Sequence, residues 1–113
     1  MKVSNSKIII NSDETEIIRL IKSPNNLEKF HPFCKKNKVE VWNKEKSIDF
    51  VEYHNNKIYK RKFIDWGDNG YNLDIYEKRK LANISWNVVK ISNNKSSLII
   101  TAVPHLPFKY KII

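Results

Sequence analysis

An α+β fold is predicted for this 113-residue chain: one strand, a short helical pair, then six antiparallel strands. Three observations predict it. Helical spacing of apolar residues is confined to the segment before Pro32. Beyond it the chain breaks into short runs rich in β-branched and aromatic residues, partly alternating. The runs are joined by only a few residues each, too short for the dozen or so of a parallel crossover, so successive strands are antiparallel neighbours.

The elements follow in order. Residues 2–11 (KVSNSKIIIN) read as a strand. Asp13 then stands as an N-cap with Glu16 at the capping-box position, and Ile17, Ile18, Leu20 and Ile21 give an amphipathic helix to about Lys22. Ser23-Pro24 restarts the pattern, Ser as N-cap and Pro at the first helical position, for a second helix that carries Leu27 and Phe30 and ends near His31-Pro32. The strands are then 39–42, 47–54, 57–66, 71–78, 83–91 and 97–103. Turn residues separate them at Asn43–Lys46, Asn55-Asn56, Gly67–Gly70 and Ser92–Lys95.

Alternation sorts the side chains into two faces. In 57–66, Tyr59, Arg61 and Phe63 oppose Ile58, Lys60, Lys62 and Ile64. Tyr71, Leu73 and Ile75, then Ile84, Trp86 and Val88, then Leu98, Ile100 and Ala102 continue one apolar face. Such a face has to be covered, and two short helices are little cover for seven strands.

Composition excludes several classes. The apolar fraction of 41% and charged fraction of 29% describe a globular chain, with one core at this length. No run approaches the ~20 apolar residues of a membrane span, and Ile8-Ile9-Ile10 is broken at once by Asn11–Glu14, so no signal-peptide core is present. The expected localisation is cytoplasmic. A net charge of +9 suggests attraction to anionic surfaces. Lys supplies 18 of the 21 basic residues and Arg only 3, which argues against sequence-specific nucleic-acid recognition, where the bidentate guanidinium is favoured.

Few residues carry candidate chemistry. Cys34 is the single cysteine, so no intramolecular disulfide forms, and nothing in sequence marks a base to activate it. His31, His54 and His105 are too far apart for metal-ligand spacing, and neither a metal nor a cofactor is expected. Asp65, Asp68 and Asp74 beside Gly67 and Gly70 read as turn formers, not as a calcium loop. Trp42, Trp66 and Trp86 read as packing residues. Arg61 stands out as a charge among Tyr59 and Phe63. It requires either an ion-pair partner, with Asp49, Glu52 and Asp74 available, or a role as handle for an acidic or carbonyl-bearing ligand.

The local wording resembles a known family. The Ile8-Ile9-Ile10 strand, the Asp13–Lys22 helix, the stretch Ser23–Phe30, then Tyr59-Lys60-Arg61-Lys62-Phe63, Trp66, Gly70-Tyr71-Asn72-Leu73-Asp74-Ile75, Ser85-Trp86-Asn87-Val88, Ser97–Ile100 and Val103-Pro104-His105 together resemble the START-like (SRPBCC, polyketide cyclase-like, birch-allergen-like) superfamily over residues 2–105. The resemblance implies a helix-grip-like β-α-α-β6 domain spanning 1–113, with a hydrophobic cavity gripped by a long C-terminal helix. Residues 107–113 are too few to form that helix, so it is expected to be absent or truncated.

The function expected is non-enzymatic binding of a hydrophobic or aromatic small molecule between the curved sheet and the helices. Alternation gives Tyr53, Tyr59, Arg61, Phe63, Tyr71, Leu73, Trp86 and Ile100 as the lining. An interaction protein whose apolar face is closed by a second protomer or partner chain is the alternative. A polyketide cyclase or dehydrase-like enzyme is the lesser one, because no convincing set of positioned polar groups is visible.

Overall fold

The computed structural model describes residues 3–30 and 34–105. The elements are β1 (Ser4–Ile10), α1 (Glu14–Ile21), α2 (Leu27–Phe30), β2 (Cys34–Val41), β3 (Ile48–Tyr53), β4 (Ile58–Gly67), β5 (Gly70–Tyr76), β6 (Lys80–Ser92) and β7 (Lys95–Pro104), with a 3-10 turn at Lys44–Lys46. All seven strands form one curved antiparallel sheet in the order β1-β7-β6-β5-β4-β3-β2. The predicted α+β class and element order are thus observed. Among the described residues no helix is long and apolar enough to cross a membrane. The expected helix end at His31-Pro32 and residues 107–113, on which the expectation of an absent or truncated C-terminal helix bears, lie outside the described residues.

Helix α1 starts where the sequence placed it. The Asp13 carboxylate accepts from the Glu16 backbone N–H at 2.9 Å, satisfying one of the orphan donors of the first turn. Its inward residues Ile17 and Ile21 are each 3% exposed. At about 1.5–3 kcal/mol per fully buried aliphatic side chain, these two dominate the docking of the helix on the sheet. Two side chains, one on β5 and one just after β2, then tie its C-terminal end down. Tyr71 Oη donates to the Ile21 carbonyl at 3.2 Å, and Trp42 Nε1 donates to the Lys22 carbonyl at 3.0 Å.

The second helix differs from expectation. Ser23 and Pro24 do not begin it: the Ser23 hydroxyl donates back to the Arg19 carbonyl at 2.6 Å, and Asn25 takes a left-handed φ of 62°. The side-chain hydroxyl is therefore spent on ending α1, and the left-handed residue blocks any helix through Pro24. Only Leu27–Phe30 is helical, with Leu27 buried.

Strand β2 begins five residues earlier than predicted, at Cys34, and runs through polar Lys35–Lys38. It is an edge strand whose inward positions there are Cys34 and Asn37, so it shows no apolar alternation. Asn56 and Asn94 supply the left-handed residues of two hairpin turns, with φ of 68° and 60°. In the β4–β5 hairpin, a Cβ on Gly70 would lie 1.7 Å from the Trp86 carbonyl oxygen, so only glycine admits this approach of β5 to β6.

Candidate functional site

The inner face of the sheet carries two distinct regions. The first is a chain of aromatic rings at the β4–β5 hairpin end. Trp42, Phe63, Trp66 and Tyr71 meet at centroid distances from 4.9 Å (Phe63–Tyr71) to 5.7 Å (Trp42–Trp66), and Trp86 continues the chain 5.8 Å from Tyr71. A bulge lets Trp66 join. The register between β4 and β5 slips between Phe63 and Asp65, which returns Trp66 to the face of Phe63. Lys22 closes the rim, its ammonium 5.4 Å from the Trp66 ring centroid and donating to the Gly67 carbonyl. Burial pushes that ammonium below its ordinary pKa.

The second region is a hollow of about 100 Å³ lined by Leu27, Val51, Tyr53, Arg61, Leu73, Ile75, Ile84, Trp86 and Ile100. Its floor is buried, Leu73 fully so, while Tyr53, Ile75, Ile84 and Ile100 are half-buried and leave it reachable from solvent. Tyr53 stands at one end with Tyr59 edge-on to it at 5.0 Å. Burial raises the Tyr53 phenol above its ordinary pKa, with the neighbouring Tyr59 acting in the same direction, so it stays a neutral hydrogen-bonding group.

One charged pair sits beneath this hollow. Arg61 lies directly opposite Asp49 in the β3–β4 register, and the two form a bidentate ion pair, Nε–Oδ1 2.7 Å and Nη2–Oδ2 2.6 Å, at 5% and 0% exposure. Asn37 Nδ2 donates to the same Asp49 carboxylate at 2.9 Å and to the Phe50 carbonyl at 3.1 Å, while the Asn37 backbone N–H donates to Glu28 of α2 at 3.1 Å. Desolvation works against the guanidinium charge, but the Asp49 hydrogen bonds, the neighbouring Tyr71 and the Asp49 charge together outweigh it, and its pKa rises. Arg61 also stands 5.2 Å from the Phe63 ring. Of the three carboxylates offered by the sequence, Asp49 is therefore the partner. Asp74 faces outward, 3.3 Å from Lys80, and Glu52 lies 3.7 Å from Lys35.

Five of the eight residues chosen from alternation line the hollow: Tyr53, Arg61, Leu73, Trp86 and Ile100. Tyr59 stands edge-on to Tyr53, and Phe63 and Tyr71 belong to the aromatic chain, so these three are not part of the lining. Leu27, Val51, Ile75 and Ile84 complete it without having been chosen. Ile75 and Ile84 had the right parity, and adjacency to Leu73 and Trp86 was the signal available. Leu27 needed the packing of α2. Among the described residues no cluster of His, Cys, Asp and Glu could hold a metal ion. Cys34 is buried, and desolvation raises its thiol pKa, which opposes nucleophilic use.

No protein-family model matches this chain, and no curated protein sequence does. Solved structures do. Norcoclaurine synthase from Thalictrum flavum, determined with dopamine and hydroxybenzaldehyde, superposes with a TM-score of 0.75 at 15% identity over 99% of this chain and 74% of that one. The fold is START-like. A START superfamily protein from Mycobacterium smegmatis gives a TM-score of 0.73 at 8% identity, over 96% of this chain and 83% of that one. The di-domain ARO/CYC protein BexL gives 0.73 at 11% identity, with 93% of this chain on 36% of that one. These START-like neighbours include enzymes, and at such identities the likeness is one of architecture.

Proposed function

We propose that this chain binds a small aromatic or otherwise apolar molecule in the hollow on the inner face of its sheet, without turning it over. The observation that carries the reading is the combination of an apolar, solvent-reachable hollow with a single buried cation at its base. A bidentate pair with Asp49 uses two of the five N–H donors of Arg61 and Tyr71 engages a further one, so the guanidinium is held rigid with its remaining donors beside the hollow. A volume near 100 Å³ is smaller than most ligand pockets, which run about 300–1,000 Å³, and matches a single ring with the remainder of the ligand extending toward the open side. Aromatic amines and aldehydes are the first compounds to try, because the norcoclaurine synthase structure holds such molecules on the same architecture.

The test is a thermal-shift screen with dopamine, hydroxybenzaldehyde, fatty acids, sterols and aromatic polyketides. A binder at 100 times its Kd stabilises the native state by about 2.7 kcal/mol, readily seen as a rise in unfolding temperature. An Ile100→Trp variant, which fills the hollow, is expected to keep the fold and lose the shift. Absence of stabilisation by every compound contradicts the reading. Half-exposure of Tyr53, Ile75, Ile84 and Ile100 also supports a second reading, closure of this face by another copy of the chain. Light scattering separates the two, since a clean monomer at low micromolar concentration removes the second.

A further inference from the structure

The outer face of the sheet carries a cross-strand row that the inner hollow does not use. Register places Lys38 opposite Phe50, Phe50 opposite Lys60, Lys60 opposite Tyr76, and Tyr76 opposite Lys80. Cation and aromatic thus alternate across β2, β3, β4, β5 and β6. Phe50, Lys60 and Tyr76, with Lys62 and Lys78 alongside, line an open groove of about 470 Å³ in which Glu77 is the carboxylate. Two other acids of this face are engaged, while Glu40 stands two residues from Lys38 on the edge strand. Asp74 is held by Lys80 at 3.3 Å and by Asn83 at 3.0 Å, and Glu52 lies 3.7 Å from Lys35. Among the described residues Lys38, Lys60, Lys62 and Lys78 make no ion pair.

Lysines two strands apart stand roughly 10 Å from each other, about one Debye length in physiological salt, so their potentials add along the row. The half-buried rings of Phe50 and Tyr76 sit between them. Alternating cations and aromatics in a groove meet the two needs of a single nucleic-acid strand, charge for the phosphates and a stacking surface for the bases. Lysine in place of arginine supplies charge without the bidentate fork that reads base edges. A membrane surface offers phosphate too, but half-buried rings in a recess do not reach an acyl layer, whereas an unstacked base enters the recess.

We propose that this outer groove binds single-stranded nucleic acid without sequence preference, phosphates on Lys38, Lys60, Lys62 and Lys78 and bases against Phe50 and Tyr76. The proposal is independent of the inner-face reading, which lies on the opposite side of the sheet. The experiment is fluorescence anisotropy of a labelled 15-nucleotide oligothymidylate with the full chain, between 50 and 200 mM salt. Saturable, salt-sensitive binding is expected. Lys38→Gln, Lys60→Gln and Lys78→Gln combined are expected to weaken it at least tenfold at the lower salt and to reduce the log–log salt slope by about 2, at roughly 0.7 per phosphate contact. Phe50→Leu with Tyr76→Leu is expected to weaken it at least about fivefold with the slope unchanged.

Unfolding midpoints are measured alongside. Should the triple variant melt, Lys78→Gln alone at the exposed rim is expected to change the slope by about 0.7. No saturable binding at 50 mM salt overturns the proposal. So does equal affinity for a duplex of the same length, which indicates charge alone. Capture by phosphatidylserine vesicles without oligonucleotide binding overturns it as well. Insensitivity to both sets of substitutions reduces the row to cross-strand pairs that stabilise the sheet.

Discussion

The two regions of the inner face share strands β4, β5 and β6 and differ in what lies over them. At the hairpin end, Ile17 and Ile21 of α1 are buried over the sheet, and the ring chain Trp42–Phe63–Trp66–Tyr71–Trp86 is fixed to the helix by two hydrogen bonds from ring side chains to its last carbonyls. Beyond it, Ile75, Ile84 and Ile100 continue the same apolar stripe but remain half-exposed around a hollow. One stripe is therefore core where α1 covers it and, on the proposed reading, a binding surface where it stays half-exposed beside Leu27 of α2. Between the two, Arg61 and Asp49 form a buried pair that belongs to the scaffold as much as to the hollow.

The sharpest way to break this comparison is at that pair. Asp49→Ala leaves the Arg61 charge buried without its anion and is expected to cost about 3–5 kcal/mol, read from urea unfolding. Arg61→Met strands Asp49 in the same way and is expected to cost as much, whereas Asp49→Leu combined with Arg61→Met should recover most of the loss, since a buried pair offers little net over apolar packing of similar volume. A double variant as unstable as either single one would show that the pair is irreplaceable.

A matched substitution across the two regions comes next. Ile17→Ala, under full cover, is expected to cost about 2–5 kcal/mol. Ile100→Ala, at the half-exposed hollow, is expected to cost nearer 1 kcal/mol and to diminish ligand-induced stabilisation. Equal costs would erase the distinction between core and site.

Much of this arrangement was legible in the sequence, and the failures have physical causes. Strict alternation in Tyr59-Lys60-Arg61-Lys62-Phe63 gave the correct faces because β4 is regular there. It stopped being informative at Ile64-Asp65, where the bulge moves Trp66 to the inner side, since a period of two carries no sign of an inserted residue. Arg61 was recognisable as a charge in need of a partner, but choosing Asp49 over Glu52 or Asp74 required strand register. Parity put Phe63 and Tyr71 on the right face. It could not tell which stretch of that face α1 covers, because coverage is decided by where the helix docks. Ser23-Pro24 misled because a hydroxyl that caps the start of one helix can equally close the end of another.

The smallest expected effect concerns Tyr71. Removing its hydroxyl in Tyr71→Phe deletes the bond to the Ile21 carbonyl together with the hydroxyl's contact with Arg61, and is expected to cost about 1 kcal/mol. The same variant changes the response to alkali. Burial raises the Tyr71 phenol pKa, outweighing the pull of Arg61 in the other direction. The unfolded phenol, near 10, therefore loses its proton first, so stability is intact below about pH 10 and falls as the pH rises beyond it. Tyr71→Phe should make that fall shallower, with Tyr53 accounting for part of what remains. An unchanged alkaline profile would show that Tyr71 is not the group at work.

The most direct test of the division into core and site is a backbone amide NMR titration with hydroxybenzaldehyde and dopamine. Saturable shifts confined to the amides of Tyr53, Arg61, Ile75, Ile84 and Ile100, with Ile17, Val88 and Leu98 unmoved, are the predicted result. Shifts on the outer face alone, or none at millimolar ligand for either compound or for the other members of the screen, would contradict it.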